Sequence, residues 1–185
     1  MHGPGPRHAV SRLRGFAPDA GAVAAVEFAI VLPFMLALYL GTLEAGNAMA
    51  VQFKAALATR AVADLASQYT SINNSTMSGI LGAAATVVAP YSASSMVVTI
   101  SQITTNAAGQ GTIAWSDSLN GTAHGVGQQV TLPTDLQIAS TSMIWSEVTY
   151  PYQPQFGYVF TGTINIYQSS YFYPRLSNSV TRVNS

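Results

Sequence analysis

"GAVAAVEFAIVLPFMLALYLGTLEAGNAM", residues 21–49, decides how this chain is built. From Ala22 to Leu43 its only ionisable side chain is Glu27. As a helix that run rises about 33 Å, enough to cross a hydrocarbon core about 30 Å thick. Pro33 removes one backbone hydrogen bond, which spanning helices tolerate. Arg7, Arg12 and Arg14 face only Asp19 before the run. The positive-inside bias therefore puts the N-terminus in the cytoplasm and everything after residue 70 outside. The expectation is a single-pass protein of the inner, cytoplasmic membrane.

A cleaved secretory signal competes with this reading, because "AMA" at Ala48–Ala50 has small-x-small spacing. Two features oppose it. The apolar stretch Phe28–Leu43 exceeds the usual core of about 7–15 residues, and Glu27 interrupts the junction with the basic region. Glu27 also has a plain explanation, since a carboxylate near one end of a span reaches the headgroups at reduced cost.

Working outward, "LEAGNAMAVQFKAALATRAVADLASQY" (43–69) keeps helix formers and has no proline. Phe53, Leu57, Ala61 and Leu65 recur every four residues, which predicts one buried face, with Lys54, Arg60, Asp64 and Gln68 off it. A helix continuous from Ala22 to Ser67 would be near 70 Å long; a break at "EAGNA" is the alternative. Ala37, Gly41 and Ala45 form a small-xxx-small ladder suited to helix packing.

Beyond the turn "TSINNST", residues 76–90 read as a short helix capped by Asn74 or Ser75. Strands follow at Ser95–Thr105, Gly111–Ser118, Ser142–Tyr152 and Tyr158–Pro174, all rich in β-branched or aromatic residues. The fold class is therefore α+β: a long N-terminal helix, membrane-spanning in its first half, on a small C-terminal antiparallel sheet of about four strands. The expected divisions are a leader at 1–21, a transmembrane helix at 22–44, a helical stem at 45–70 and a head at 71–185.

Composition narrows the function. Charged residues make up 8% of the 185, against about 25% in ordinary soluble chains, and seven basic residues balance seven acidic ones. No basic excess offers itself to nucleic acid. The absence of cysteine excludes disulfides, thiolate metal sites and cysteine nucleophiles. His2 and His8 lie in the leader, which leaves His124 as the one head histidine, flanked in sequence by Asp117 and Asp135. Its default reading is a solvated loop residue. Glu147 and Asp135 would need a separation of about 5–10 Å for glycoside chemistry, and nothing in the sequence sets it. Glu147 reads instead as a solvent-facing strand residue. The glycines at 109, 111, 125 and 127 do not complete a dinucleotide motif. No catalytic residue, cofactor or metal ligand is expected. The aromatics from Tyr150 through Tyr152, Phe156, Tyr158, Phe160, Tyr167, Tyr171 and Phe172 to Tyr173 read as sheet core, or else as a surface for subunit packing.

The basic leader, Gly21, the short apolar stretch ending in Glu27-Phe28, Leu32-Pro33, the G-x-x-E of Gly41–Glu44, "EVTYPYQP" (147–154) and "YFYPRLSNSVTR" (171–182) together resemble the TadE/TadG-like pseudopilins. These are minor subunits of the tight-adherence (Tad) pilus, relatives of type IV pili and type II secretion systems. The resemblance implies a prepilin peptidase cutting after the glycine, so that Gly21 and Ala22 flank the processed bond. It implies subunit assembly through Glu27 and its neighbour Phe28, with the carboxylate meeting the terminal amine of an adjacent subunit. The implied partners are that peptidase, the Tad assembly machinery, other pilin subunits and the lipid bilayer, and the implied outcome is surface adhesion and biofilm formation. Here Glu27 is sixth after Gly21, where the family pattern has it fifth. A cut after Ala22 restores the spacing but loses the glycine, so a cut after Gly21, a cut after Ala22 and no cut all stay open. The alternative function is an exported or membrane-anchored binding domain that never polymerises.

Overall fold

The computed structural model describes residues 20–155 and 162–183. Its first element is α1, Ala20–Ser67, which carries Pro33 inside it and is helical through Glu44–Ala48. The chain divides into two units between Leu43 and Glu44. In the first, side chains 21–39 are all exposed. Thr42 turns its hydroxyl back onto the Leu38 carbonyl at 2.8 Å, so its one polar group asks nothing of the surroundings.

In the second unit, the later turns of α1 lead to β1 (Ser71–Ile72), α2 (Asn74–Val88), β2 (Val97–Thr105), β3 (Gly111–Leu119) and β4 (Gln129–Val130). After a short 3-10 turn at Thr134–Leu136 come β5 (Ser142–Tyr152), β6 (Ile164–Phe172) and β7 (Thr181–Arg182). The cap of α2 is Asn73, not Asn74 or Ser75: its side-chain oxygen accepts from the Thr76 N–H at 2.8 Å. The antiparallel sheet runs β4-β3-β2-β5-β6, five strands rather than about four. A separate parallel pair joins β1 to β7. The fold is α+β with a sheet head, as expected. Tyr158 and Phe160, at the start of the expected last strand, and Phe156 before it lie outside the described residues.

The inner face of the sheet presents Val98, Ile100, Ile144 and Val148 to one core shared with α1 and α2. On α1 the buried apolar positions are Val51, Ala55, Ala58, Val62, Ala63 and Ala66, all at most 1% exposed, with Thr59 and Ser67 buried beside them. This corrects the expected stripe. Phe53 is 65% exposed and Leu57 37%, and only Ala61 and Leu65 are half-buried. Small side chains let the helix lie close to the sheet, whereas a stripe of Phe and Leu would hold it off. A bulge between Gln102 and Ile103 shifts the β2–β3 register, so Trp115 joins the inner core while Ile113 joins a second, outer cluster with Ile103, Leu132, Met143 and Trp145.

Residues 175–183 fasten the head. Arg175 donates its backbone N–H to Ser67 O at 2.8 Å and pairs through its side chain with Asp64. Trp115 donates its indole N–H to Val180 O at 2.7 Å. Arg182 grips Asp117 through two donors at 2.9 and 3.1 Å and also reaches Asn74 and the Ile72 carbonyl. The Asp117 carboxylate raises the Arg182 pKa further above its already high value, chiefly through these hydrogen bonds.

Candidate functional site

Two regions carry chemistry. The first lies on the exposed half of α1. Gly21 and Ala22 sit in its opening turns, and Glu27 is exposed beside Phe28, itself 60% exposed. The residues three and four positions from Glu27, namely Val23, Ala24, Ile30 and Val31, are aliphatic and exposed, so among the described residues its helical neighbours offer no polar group. In a bilayer such a carboxylate is costly unless it reaches the headgroups or meets a cation. Of the small-residue ladder, Ala37 is exposed while Gly41 and Ala45 are half-buried.

The second region is on the outer face of the sheet, where β5 and β6 alternate Trp145, Glu147 and Tyr167, Ser169, Tyr171 outward. Cross-strand register sets Trp145 opposite Tyr171 and Glu147 opposite Ser169. Over them lies His124, from the loop between β3 and β4. Its Nε2 is 2.5 Å from Glu147 Oε2, so that nitrogen carries the proton the carboxylate accepts. Its backbone N–H donates to Ser116 Oγ at 3.1 Å, and Ser116 accepts in turn from Ser101 Oγ at 2.8 Å. The imidazole stacks on Trp145 at 4.9 Å, and Trp145 stacks on Tyr171 at 5.9 Å with the rings parallel to within 1°. Tyr167 donates its hydroxyl to the other Glu147 oxygen at 2.7 Å.

Partial loss of water raises the Tyr167 pKa strongly, and the Glu147 hydrogen bond and charge add to it. Tyr171 is raised for the same first reason, with the Glu147 charge second.

His124 is therefore not a solvated loop residue, and Glu147 is not simply solvent-facing. The two are joined, although 23 residues apart. Asp117 is spent on Arg182, and Asp135 sits exposed in the 3-10 turn. Neither is a partner of His124 in any hydrogen bond or ion pair among the described residues. Among these residues no group of three His, Cys, Asp or Glu side chains is placed to hold a metal.

The fold and the first site define a class: a protein with, among the described residues, one helix long and apolar enough to cross a membrane, continuing into an α+β sheet head. Residues 22–64 match the model of the TadE-like protein family, a segment that begins beside Gly21 and takes in Glu27 and Phe28. The match ends inside α1, three residues short of its last turn's end, and leaves the sheet unmatched. No curated protein and no solved structure matches the chain.

Proposed function

We propose that the protein is a minor subunit of a Tad-type pilus: inserted by α1 with its N-terminus cytoplasmic and its head outside, trimmed by a prepilin peptidase at Gly21 or Ala22, and assembled with other pilin subunits for surface adhesion and biofilm formation. The observation that carries this reading is the coincidence of the TadE-like match with an exposed apolar helix holding one carboxylate, Glu27. Cleavage would create a terminal amine within a few residues of that height on the helix. In a packed bundle Glu27 of one subunit meets the amine of the next, and an ion pair in low dielectric fixes register because any other register strands a charge. The mechanism is assembly rather than turnover, in keeping with a pilus structural family.

N-terminal sequencing of the protein from membranes that contain a prepilin peptidase tests this. A mature start at Ala22 or Val23 is expected. A start at Val51 would mark a secreted protein, and an intact Met1 an anchor; either outcome overturns the processing step.

A further inference from the structure

The two edges of the sheet are finished differently. On the β3 side, β4 and the loop before it cover the edge: Gly127 donates to Ile113 O at 2.8 Å, Ile113 donates to Gln128 O at 2.9 Å, and His124 ties the loop to Ser116. On the other side the sheet ends at β6, with no further strand beyond it among the described residues. Natural edges are blunted by charge, proline, bulges or shortness. β6 is nine residues long, reads INIYQSSYF, pairs with β5 without a register break, and has no charged residue and no proline. An edge of this kind is a template for another strand.

The sequence of β6 indicates which strand. We propose that β6 pairs antiparallel with β6 of a second copy of this chain, about a two-fold axis at Ser169. This register sets Ser169 against its own counterpart and Tyr171 against Tyr167 of the second copy. On the inner face it sets Phe172 against Ile166 and Gln168 against Ser170. Aromatic meets aromatic, apolar meets apolar, uncharged polar meets uncharged polar, and each pair occurs twice, as an isologous contact requires. Because paired positions share parity, the outer faces of both sheets stay continuous. Centring one residue earlier, on Gln168, sets Tyr171 against Asn165, Tyr167 against Ser169 and Ile166 against Ser170, and loses these matches.

His124, Trp145 and Tyr171 stand nearly parallel across the outer face, so Tyr171 ends the ring row at the edge strand, directly opposite position 167 of the second copy in the Ser169-centred pair. The contact requires neither cleavage at Gly21 nor a filament, so an unprocessed chain leaves it intact.

The chain has no cysteine, so single substitutions in β6 report position without background. In the full chain, in detergent or in membranes under a mild copper oxidant, Ser169→Cys is expected to give a disulfide-linked homodimer. Its yield should exceed that of Asn165→Cys, Gln168→Cys and Ser170→Cys at least about fivefold, since only directly opposed residues bring their Cβ atoms within about 5.5 Å. Ser169 is exposed, which spares the fold. Without any cysteine, the wild-type mass by light scattering, corrected for detergent, should be that of a dimer, and Ser169→Lys, which opposes two ammonium groups, should halve it. A yield peaking at Gln168→Cys, an even profile, a Ser169→Cys adduct to some other protein, or a monomeric wild type overturns the proposal.

Discussion

Glu147 shows how a residue acquires a role that its neighbours in sequence do not announce. Its strand pattern makes it outward-facing, and there it accepts from both His124 and Tyr167. The tyrosine gives the pairing a pH signature. Its pKa is raised in the folded head, first by lost water and then by Glu147, so above about pH 10 the unfolded chain releases a phenolic proton that the folded chain keeps. Fewer protons bound by the unfolded state make stability fall as pH rises. The contribution is whole below about pH 10 and is lost above it. Denaturant titrations from about pH 8 to pH 11 should show a shallower alkaline loss for Tyr167→Phe than for wild type. At neutral pH the same variant should cost about 1 kcal/mol, one exposed charge-assisted hydrogen bond. None of this was legible from the sequence. A histidine and a glutamate 23 residues apart meet only because β3, β2 and β5 lie side by side and the loop crosses back over them.

At the level of elements, the sequence marked those with a period of their own. The β2, β3 and β5 segments stand where β-branched and aromatic runs end in turns, and α1 follows from its long proline-poor, helix-favouring run. Two-residue strands such as β1, β4 and β7 have no period to read, and they exist only through partners 17 to 110 residues away. The buried face of α1 departs from the Phe53–Leu65 stripe for a different reason. Large apolar side chains suggest burial, but against a sheet the deciding quantity is how near the helix axis can come. Ala58, 0% exposed, should therefore be the sensitive position: Ala58→Leu is expected to lose about 1–3 kcal/mol through overpacking. Phe53→Ser, on the exposed side, should change denaturant stability by less than about 0.5 kcal/mol. Equal losses from both variants would mean that the close face is not what holds the helix.

For the molecule as a whole, the two halves of α1 differ in what they face: the first is an exposed apolar surface long enough to cross a membrane, and the second lays an alanine-lined face on a packed sheet. Glu27 belongs to the first. If it pairs with a neighbouring amine during assembly, Glu27→Gln should leave membrane insertion and stability of the head unchanged while lowering incorporation into filaments at least about tenfold, the equivalent of about 1.4 kcal/mol. The measurement is the ratio of sheared-filament to membrane-bound protein. The spacing that places Glu27 in that surface was readable in full, because it needs one helix and no tertiary partner.

The parallel pair of β1 and β7 carries a different consequence, one of timing. Ser71 meets Thr181 across 110 residues, and the span between them contains α2 and the entire five-stranded sheet. Contacts so distant in sequence close late, after the loop entropy between them has been overcome. Until residues 175–183 are available, Asp117 and Asp64 lack their arginines and the Trp115 indole lacks Val180. A chain delivered N-terminus first, whether from a ribosome or across a bilayer, therefore has a sheet that can begin to form but no closure until almost all of it has arrived. The head locks from its far end, and an interrupted delivery leaves it ajar.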